Sequence, residues 1–554
     1  MKLLNLTSLT LVPLTLAATL PKIRQASEPL LCSAASSQIA TNGTNSTLWP
    51  WQTYKSSDAV PPVLAINKTG DALFVGLIFF DASLGSSVVA TKEVAPLIMT
   101  DTGDLVWNGP VATTQAANVR VQTFNGSQVL TYWSGQGTAG TSQIVGHGFG
   151  EIVVLDTNYT ELYTVCPKLS FNLPPNVTAN CVADIHESFI TSRKTMLITA
   201  YNTTPADLTS VGGPKNGWVL DSIAAEVNIT TGEVLFTWSP LAHLKVNQSH
   251  YPLSGAGLNQ SNPYDFFHIN AIELVGENYL INSRHFWSTF LVNPKGEILW
   301  EINGETGGDF GTLPEGGTFS WQHFARVQQL NSTKALVSWF ANNNDLTGQA
   351  NAKPSTGLSL LLTLPPNATS PPVLVTNFTN PHSPVDAWSQ GSFQYLPNGN
   401  KFIGYGSNAV IAEYGPYTNG TNGTEGQVRW AASFGSGDLV SSYRAYKQVW
   451  HATPATKPSL VVLQAASNDT LKHCAGSSTW RGYVSWNGAT DVTKYIVYTG
   501  STNTTLTATG QASKTGFETE FVVPSGAAYV QVGAVENNGT AVTRKSSVVA
   551  VGNS

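Results

Sequence analysis

The stretch 268–281 reads HINAIELVGENYLI, and its pattern indicates the fold. Apolar residues recur up to the turn at Gly276-Glu277-Asn278 and then resume, as they do in a β-hairpin. The arrangement returns as HESFITSRKTMLI at 186–198, HFARVQQLNSTKALV at 323–337 and QGSFQYLPNGN at 390–400. Three copies open on a histidine and the fourth opens on Gln390. If the units are related by rotation, their first residues meet at one axis.

A second hairpin, which often closes on an aromatic residue, recurs along the chain. The candidates are Ala95–Trp107, Gly150–Val165, Ser222–Trp238, Thr289–Trp300, Leu358–Phe378 and Ala409–Trp430. Together the hairpins give about six four-stranded units of roughly 40 to 65 residues, a period typical of a β-propeller. A single β-sandwich is the alternative, but it does not require this repeat. We therefore expect an all-β chain with a six-bladed β-propeller over 63–453, which a strand within 441–453 closes.

The character of the sequence changes after the propeller. Short alternating strands, such as Tyr495-Ile496-Val497-Tyr498, predict a fibronectin type III-like β-sandwich over 477–554. Such a domain would serve as a spacer or adhesion module that contacts the cell wall or glycans. Residues 454–476 are expected to form the linker, and residues 19–62 an N-terminal segment.

The first residues and the sequons indicate export. Residues 1–18 have a basic start, an apolar run and small residues at the end, which predicts a signal peptide cleaved near Ala17 or Ala18. No later apolar stretch is long enough to span a membrane. Asn-x-Ser/Thr sequons recur from Asn42 to Asn538, and they predict N-glycans. We expect a secreted, extracellular glycoprotein.

Four cysteines form an even set, which in an exported chain predicts two disulfides. Cys166 and Cys181 flank one proline-rich loop and are expected to bond locally. The remaining pair, Cys32 and Cys474, would tie the N-terminal region to the chain before its last domain. A catalytic thiol is the alternative. The net charge of -6, with no basic run, argues against nucleic acid and against anionic membranes as partners.

Hairpin geometry predicts one site. Residues equidistant from a turn lie opposite each other in an antiparallel pair, so Arg284 is expected opposite His268. Asn270 lies two residues beyond His268 and should share its face. The same arithmetic places Asn202 near His186, Asn342 near His323, and Asn408 near Gln390. A pocket of imidazoles, one guanidinium and amides, with few carboxylates, suits an anion that carries several oxygens.

These segments resemble a known family. Tyr264-Asp265-Phe266-Phe267-His268-Ile269-Asn270, with Asn282-Ser283-Arg284-His285 and Gly296-Glu297-Ile298-Leu299-Trp300, looks like the core signature of the arylsulfotransferase family. Trp321-Gln322-His323 is similar to a second motif of that family, and Asp184-Ile185-His186-Glu187 more loosely to a third. The resemblance is closest to the fungal secreted branch and covers roughly Val63 to Phe434. It independently implies a six-bladed propeller.

The resemblance also implies a chemistry. The donor is an aryl sulfate, the acceptor a phenol, and no nucleotide cofactor takes part. Carried over, His323 resembles the nucleophile that forms a sulfohistidine, and His186 resembles a second acid or base. His268, Asn270 and Arg284 resemble the groups that hold and neutralise the sulfuryl oxygens. The residue types agree, because a neutral imidazole attacks sulfur and a guanidinium stabilises spread charge.

Three hypotheses stay open at this point. The first is a sulfuryl-transfer enzyme. The second is a non-catalytic propeller that binds glycans or cell-wall components, because a fold does not fix a function. The third is a metal enzyme in which His186, His268 and His323 bind zinc with one open position. Arg284 beside His268 argues against the third, since a fixed cation disfavours another one.

Overall fold

The computed structural model describes residues 28–43, 48–84, 91–112, 115–137, 146–175, 177–345, 353–380, 383–416, 427–466, 471–474, 478–537 and 539–552. The expected signal peptide at 1–18 lies outside these residues. Their helices are 3-10 turns of three residues: Thr209–Val211, Pro240–Ala242, Val246–Gln248, Gly308–Phe310 and Gly437–Leu439. The all-β class is therefore confirmed, and no described helix is long and apolar enough to cross a membrane.

Most strands belong to four-stranded antiparallel sheets, which we call units 1 to 6. Units 2 to 5 each use four consecutive strands. Unit 2 contains Gln115–Phe124, Ser127–Gly137, Gly148–Leu155 and Glu161–Val165, and unit 3 contains Ser188–Ile190, Thr195–Ala206, Gly217–Asn228 and Val234–Trp238. Unit 4 contains Ile269–Val275, Asn278–Ser283, Ser288–Val292 and Ile298–Asn303, and unit 5 contains His323–Leu330, Lys334–Ala341, Thr356–Thr363 and Val373–Phe378.

Units 1 and 6 join the two ends of this series. Unit 1 contains Leu77–Asp81, Pro96–Met99 and Leu105–Asn108, and it takes its first strand, Tyr446–Gln448, from within the segment 441–453. Unit 6 contains Ser392–Tyr395, Lys401–Gly404, Val410–Tyr414 and Val428–Ser433, and adds Ala65–Lys68 at its outer edge. Each unit contacts the next, and unit 6 contacts unit 1. The described sheets therefore close on themselves in a propeller-like arrangement.

Tryptophans at the outer strands explain how neighbouring units pack. Trp238 of unit 3 is buried, and its Nε1 donates to the Gly296 carbonyl in the turn of unit 4 at 3.2 Å. Trp430 of unit 6 is buried in the same way, and its Nε1 donates to the Asp101 carbonyl in the turn of unit 1 at 2.9 Å. The aromatic residue that closes a hairpin thus fills the gap to the next unit and satisfies a turn carbonyl there.

The beginnings of the inner strands depart from regular β geometry. Several non-glycine residues there have positive φ angles, a sparsely allowed region for side chains with a Cβ: Asn118 at 59°, His268 at 54°, Trp321 at 56°, Phe324 at 57° and Gln390 at 63°. The strand register also shifts after Ile269 and after His323. Such local strain concentrates at functional sites, and here it lies where the histidines begin their strands.

The C-terminal residues form two further sheets around one apolar core. One sheet contains Ser33–Ala35, Ser459–Gln464, Trp480–Ser485 and Glu518–Val522, and the other contains Val492–Gly500, Thr507–Ser513, Tyr529–Glu536, Val542–Lys545 and Val549–Ala550. The expected linker 454–476 thus supplies a full strand of this sandwich, because Leu460 and Val462 bury their side chains in its core. The N-terminal segment contributes Ser33–Ala35, and pairs Gln38–Ala40 with Trp51–Thr53.

Both expected disulfides are present. Cys166 and Cys181 are 15 residues apart in sequence and close one loop after unit 2. Cys32 and Cys474 are 442 residues apart and join the N-terminal segment to the C-terminal sandwich. All four cysteines of the chain are therefore bonded, and the alternative of a catalytic thiol is wrong.

Candidate functional site

Three imidazoles from units 2, 3 and 4 meet, and we call His147, His186 and His268 the histidine trio. The ring centroids of His147 and His186 lie 5.5 Å apart, those of His186 and His268 5.0 Å apart, and those of His147 and His268 4.6 Å apart. All three side chains are buried. His186 and His268 were predicted here. His147 was not, because it precedes the third strand of unit 2 and not the first.

Two buried aspartates, Asp184 and Asp265, each form hydrogen bonds with ring nitrogens of the trio. His186 Nδ1 donates to Asp184, whose carboxylate also accepts from the Thr199 hydroxyl at 2.9 Å. His268 Nδ1 lies 2.6 Å from Asp265 Oδ2, and His147 Nε2 lies 2.9 Å from the same oxygen. The expectation of few carboxylates is therefore corrected for this part of the pocket. An Nδ1–H that donates to a carboxylate leaves Nε2 as the acceptor nitrogen.

The charges of these pairs follow from burial and partners. Burial lowers the pKa of the His186 and His268 imidazoles, although the aspartates oppose that shift. Burial alone would raise the pKa of Asp265, but the His268 and His147 imidazoles outweigh it and hold that pKa well below the ordinary value. Asp184 behaves in the same way beside His186. The site therefore favours ionised carboxylates beside neutral imidazoles.

His323 lies in a different environment. Its Nδ1 donates to Asn342 Oδ1 at 2.7 Å, and its Nε2 accepts from the Gln390 backbone N–H at 3.2 Å. The amide of Asn342 is oriented by its Nδ2, which donates to the Ala387 and Gln390 carbonyls at 2.8 and 3.1 Å. Burial and the nearby Arg284 guanidinium hold the pKa of His323 well below its usual range. The ring is therefore neutral, with its lone pair on Nε2.

Arg284 supplies a buried cation beside these groups. Its backbone N–H donates to the His268 carbonyl at 2.9 Å, so the predicted cross-strand position is confirmed. Nη1 donates to His285 Nε2 at 2.9 Å, Nη2 donates to the Trp388 carbonyl at 2.9 Å, and the guanidinium lies 4.9 Å from the centroid of the Trp321 ring. Nε has no hydrogen-bond partner among the described residues. The Nε–H donor of the guanidinium is thus among those left for a ligand.

Two predicted amides do not face the site. Asn270 Nδ2 donates to the Gln322 carbonyl at 2.8 Å, and its Oδ1 accepts from Asn282 at 2.6 Å. The register shift after Ile269 breaks the simple alternation, so Asn270 supports the base of the site and does not share the face of His268. Asn202 accepts from the Asn172 backbone N–H at 2.9 Å, near the surface.

The other two predicted residues differ from each other. Gln390 contributes its backbone N–H to His323, as described above, while its buried Oε1 has no partner among the described residues. Asn408 lies in the turn between two strands of unit 6, where its N–H donates to the Tyr405 carbonyl at 3.1 Å. The side chains that meet at the site therefore come mainly from units 2 to 5.

A buried charge cluster that the sequence did not reveal lies next to His186. Glu187 contacts three guanidiniums: Arg120 at 3.2 Å, Arg326 at 2.6 Å and Arg444 at 3.0 Å. Burial alone would raise the pKa of the Glu187 carboxyl. The guanidiniums of Arg326, Arg444 and Arg120 outweigh burial and hold that pKa below its ordinary value. These arginines come from unit 2, unit 5 and the closing segment. The cluster therefore connects units that are distant in sequence, next to the site.

The fold and the site define an all-β, propeller-like protein with a buried cluster of histidine, aspartate and arginine. A family model described as "Arylsulfotransferase (ASST)" matches residues 120–435, which is more than half of the chain. The chain therefore belongs to the arylsulfotransferase family. No curated protein matches it.

Solved structures of low sequence identity also match. A protein of unknown function from Bacteroides caccae is 14% identical over 67% of this chain and 99% of that chain, with a TM-score of 0.34. The periplasmic gluconolactonase PpgL of Pseudomonas aeruginosa is 10% identical over 66% and 98%, with a TM-score of 0.34. The Dos1 propeller is 8% identical over 76% and 96%, with a TM-score of 0.30.

Proposed function

We propose that this protein moves a sulfuryl group from an aryl sulfate to a phenolic acceptor. The observation that carries the proposal is that His323 and Arg284 contact the same segment, 388–390, in a chain of the arylsulfotransferase family. His323 accepts from the Gln390 N–H, and Arg284 donates to the Trp388 carbonyl. The histidine trio is connected to Arg284 through His285, whose ring centroid lies 4.7 Å from that of His268 and whose Nε2 accepts from Arg284 Nη1. A nucleophile, a fixed cation and candidate proton donors thus share one buried region.

In the first half-reaction His323 is the nucleophile. Its Nε2 lone pair attacks sulfur while the bond from sulfur to the aryl oxygen breaks, which leaves a sulfohistidine and an aryloxide. The Gln390 N–H releases Nε2 as the new bond forms. The aryloxide takes a proton from His186, which must therefore be protonated when the anionic substrate is bound.

In the second half-reaction a phenol takes the sulfuryl group. The phenol gives its proton to His186, its oxygen attacks sulfur, and the bond from nitrogen to sulfur breaks to restore neutral His323. The Nδ1–H of the sulfohistidine faces the neutral amide of Asn342, so no carboxylate stabilises the charge on the ring. The intermediate therefore stays reactive.

Arg284 is the group that stabilises the sulfuryl oxygens. It is buried, it is always charged, and its Nε has no partner among the described residues. A donor placed before the reaction begins needs no reorganisation in the transition state. Asn270 takes no part in this role, because its amide is already bonded to Gln322 and Asn282.

The test is the covalent intermediate. Purified, deglycosylated protein is mixed with an aryl sulfate without acceptor, quenched, and weighed intact. We expect one added sulfuryl group, which peptide mapping locates on His323 and which a phenol removes. A sulfuryl group on another residue would overturn the assignment of the nucleophile. No turnover across diverse aryl sulfates would favour instead a non-catalytic module that binds glycans or cell-wall components.

The same proposal covers the finer architecture. We propose that 63–453 form a six-bladed β-propeller and that the C-terminal sandwich is fibronectin type III-like, beginning at Ser459 and including Ser33–Ala35. The closed series of six described sheets supports the first part. We also propose that the chain is a secreted glycoprotein of the fungal branch, and two disulfides that tie distant segments together support an oxidising destination.

A further inference from the structure

The histidine trio has the geometry of a metal site. We propose that His147, His186 and His268 together bind one divalent transition-metal ion, and that Zn²⁺ is the ion they suit best. The candidate ligand atoms of these residues lie within 4.8 Å of one another. Three nitrogens bound to one tetrahedral ion at about 2.0–2.1 Å lie roughly 3.3 Å apart, so small rotations of the rings complete the set.

The aspartates fix the rings as a metal site requires. Metal-binding histidines usually donate their second N–H to a carboxylate or carbonyl, which sets the tautomer and the ring orientation. His186 is held in this way by Asp184, and His268 by Asp265. The side-chain hydrogen bonds of these two rings to described residues run through Nδ1. Their Nε2 lone pairs are therefore the atoms that can bind a cation.

Two buried carboxylates accompany the trio. Asp184 and Asp265 are buried, and the ion pairs of both within the described ranges are formed with imidazoles. Asp265 Oδ1 is buried without a hydrogen-bond partner in the described part of the chain. Carboxylates in this position are the usual partners of metal-binding imidazoles. Imidazole ligands suit Zn²⁺, Cu²⁺, Ni²⁺ and iron, and three of them leave the open position of a catalytic zinc site.

Neighbouring groups do not compete for this ion. His285 Nε2 accepts from Arg284, and His285 Nδ1 lies 2.6 Å from the Asp265 carbonyl, so both of its nitrogens are occupied. Arg284, expected from sequence to disfavour a metal, directs its Nη atoms to His285 and Trp388 and not to the trio. His323 has both nitrogens bonded and belongs to no metal-binding group of the described residues. The zinc set that the sequence left open as an alternative, with His323, is thus replaced in our proposal by one that includes His147.

The inference does not rest on the proposed sulfuryl transfer. If both hold, an ion at these nitrogens would take the place of the His186 imidazolium beside the leaving oxygen and would supply a Lewis acid for the aryloxide. His186 would then no longer take the proton of the acceptor phenol, so the acceptor would react as a phenolate that has lost its proton to solvent. Metal binding and phenol release are therefore measured separately on the same preparation.

The experiment uses the full secreted protein, stripped with a chelator and then equilibrated with Zn²⁺ or Co²⁺. Metal analysis after gel filtration should give one ion per chain, and Co²⁺ should show the intense visible absorption of a four-coordinate site. His186→Gln and His268→Gln should lose this ion at concentrations that saturate the wild type. Asp184→Asn should weaken binding about 10- to 100-fold, as expected for a residue that orients a ligand.

The matched control is His243→Gln, because His243 is exposed and stacks on Trp238 at 5.4 Å, outside the trio. This variant should bind one ion with unchanged affinity. No stoichiometric ion in the wild type would overturn the proposal without relying on any variant that fails to fold. Equal affinity in the wild type and His186→Gln would overturn it as well. An ion bound without turnover supports the site and contradicts sulfuryl transfer, whereas turnover without a bound ion does the reverse.

Discussion

His323 differs from His186 and His268 of the histidine trio in the group that accepts the hydrogen bond from Nδ1. An amide oxygen of Asn342 accepts from His323, whereas the carboxylates of Asp184 and Asp265 accept from His186 and His268. A carboxylate stabilises positive charge on its imidazole and an amide does so much less. The difference suits one type of side chain to two roles. In our proposals the trio holds a cation or a proton, and His323 forms and releases a bond.

The largest expected effect comes from removing the ring that the amide holds. His323→Ala should abolish phenol release from an aryl sulfate and the sulfuryl adduct, because His186 and His268 face carboxylates at Nδ1 and the Nε2 of His285 already accepts from the Arg284 guanidinium. Steady-state phenol release and intact mass measure the two effects. His243→Ala is the control and should keep wild-type rates. Full phenol release by His323→Ala would remove His323 from the chemistry.

A smaller loss is expected at the cation that lies between the two regions. Arg284→Ala should slow phenol release roughly 100- to 1,000-fold, the typical cost of one donor that stabilises an oxyanion. The variant should still form the adduct on His323, only more slowly, which pre-steady-state mass analysis can follow. Arg193→Ala removes an arginine that pairs with Glu226 and Glu277 elsewhere, and it should keep full activity. Equal rates for the two variants would show that Arg284 does not act on the substrate.

Exchanging the side chain that accepts from His323 Nδ1 tests whether the charge of this partner matters. Asn342→Asp places a carboxylate at Nδ1, which should stabilise the charged sulfohistidine and slow its transfer to phenol about tenfold. The adduct should then accumulate during turnover. Asn342→Ala is the control, because it loses the same bonds to Ala387 and Gln390 without adding charge. If both variants accumulate the adduct alike, the charge of the partner is not what keeps the intermediate reactive.

Much of this arrangement could be predicted from the sequence, because hairpin register is a local property. The turn at 276–278 fixes which residues pair, so Arg284 was correctly placed opposite His268. The same arithmetic correctly brought Asn342 to His323. It failed for Asn270, since a positive φ at His268 and a shifted register turn the next residues to another face.

Other parts of the site could not be predicted, because they depend on contacts between units. His147 begins a third strand, and only the packing of unit 2 against units 3 and 4 brings it to the trio. Asp184 and Asp265 stand beside the predicted histidines, but a sequence does not show that their side chains fold back onto them. The strand Ser459–Gln464, within the residues expected to be a linker, was missed for a similar reason, because it is recognisable only through its partner Trp480–Ser485.

The smallest expected effect on activity, with a clear effect on stability, concerns a buried carboxylate that lacks an imidazole partner. Asp81 is fully buried and accepts from the Ser83 and Ser442 hydroxyls at 2.8 and 3.2 Å. Burial raises its pKa to about 7, against the hydrogen bonds that lower it. The folded state therefore binds a proton between about pH 4 and 7 that the unfolded chain releases, so the free energy of unfolding should fall as pH rises through this window, by at most about 1.4 kcal/mol per unit. Asp81→Asn should remove this slope without changing phenol release, and denaturant unfolding at pH 5 and pH 8 measures it. Asp71→Asn, at a fully exposed carboxylate, is the control. Parallel pH profiles for wild type and Asp81→Asn would mean that Asp81 stays ionised without a cation, and the contrast between carboxylates with and without imidazole partners would then fail.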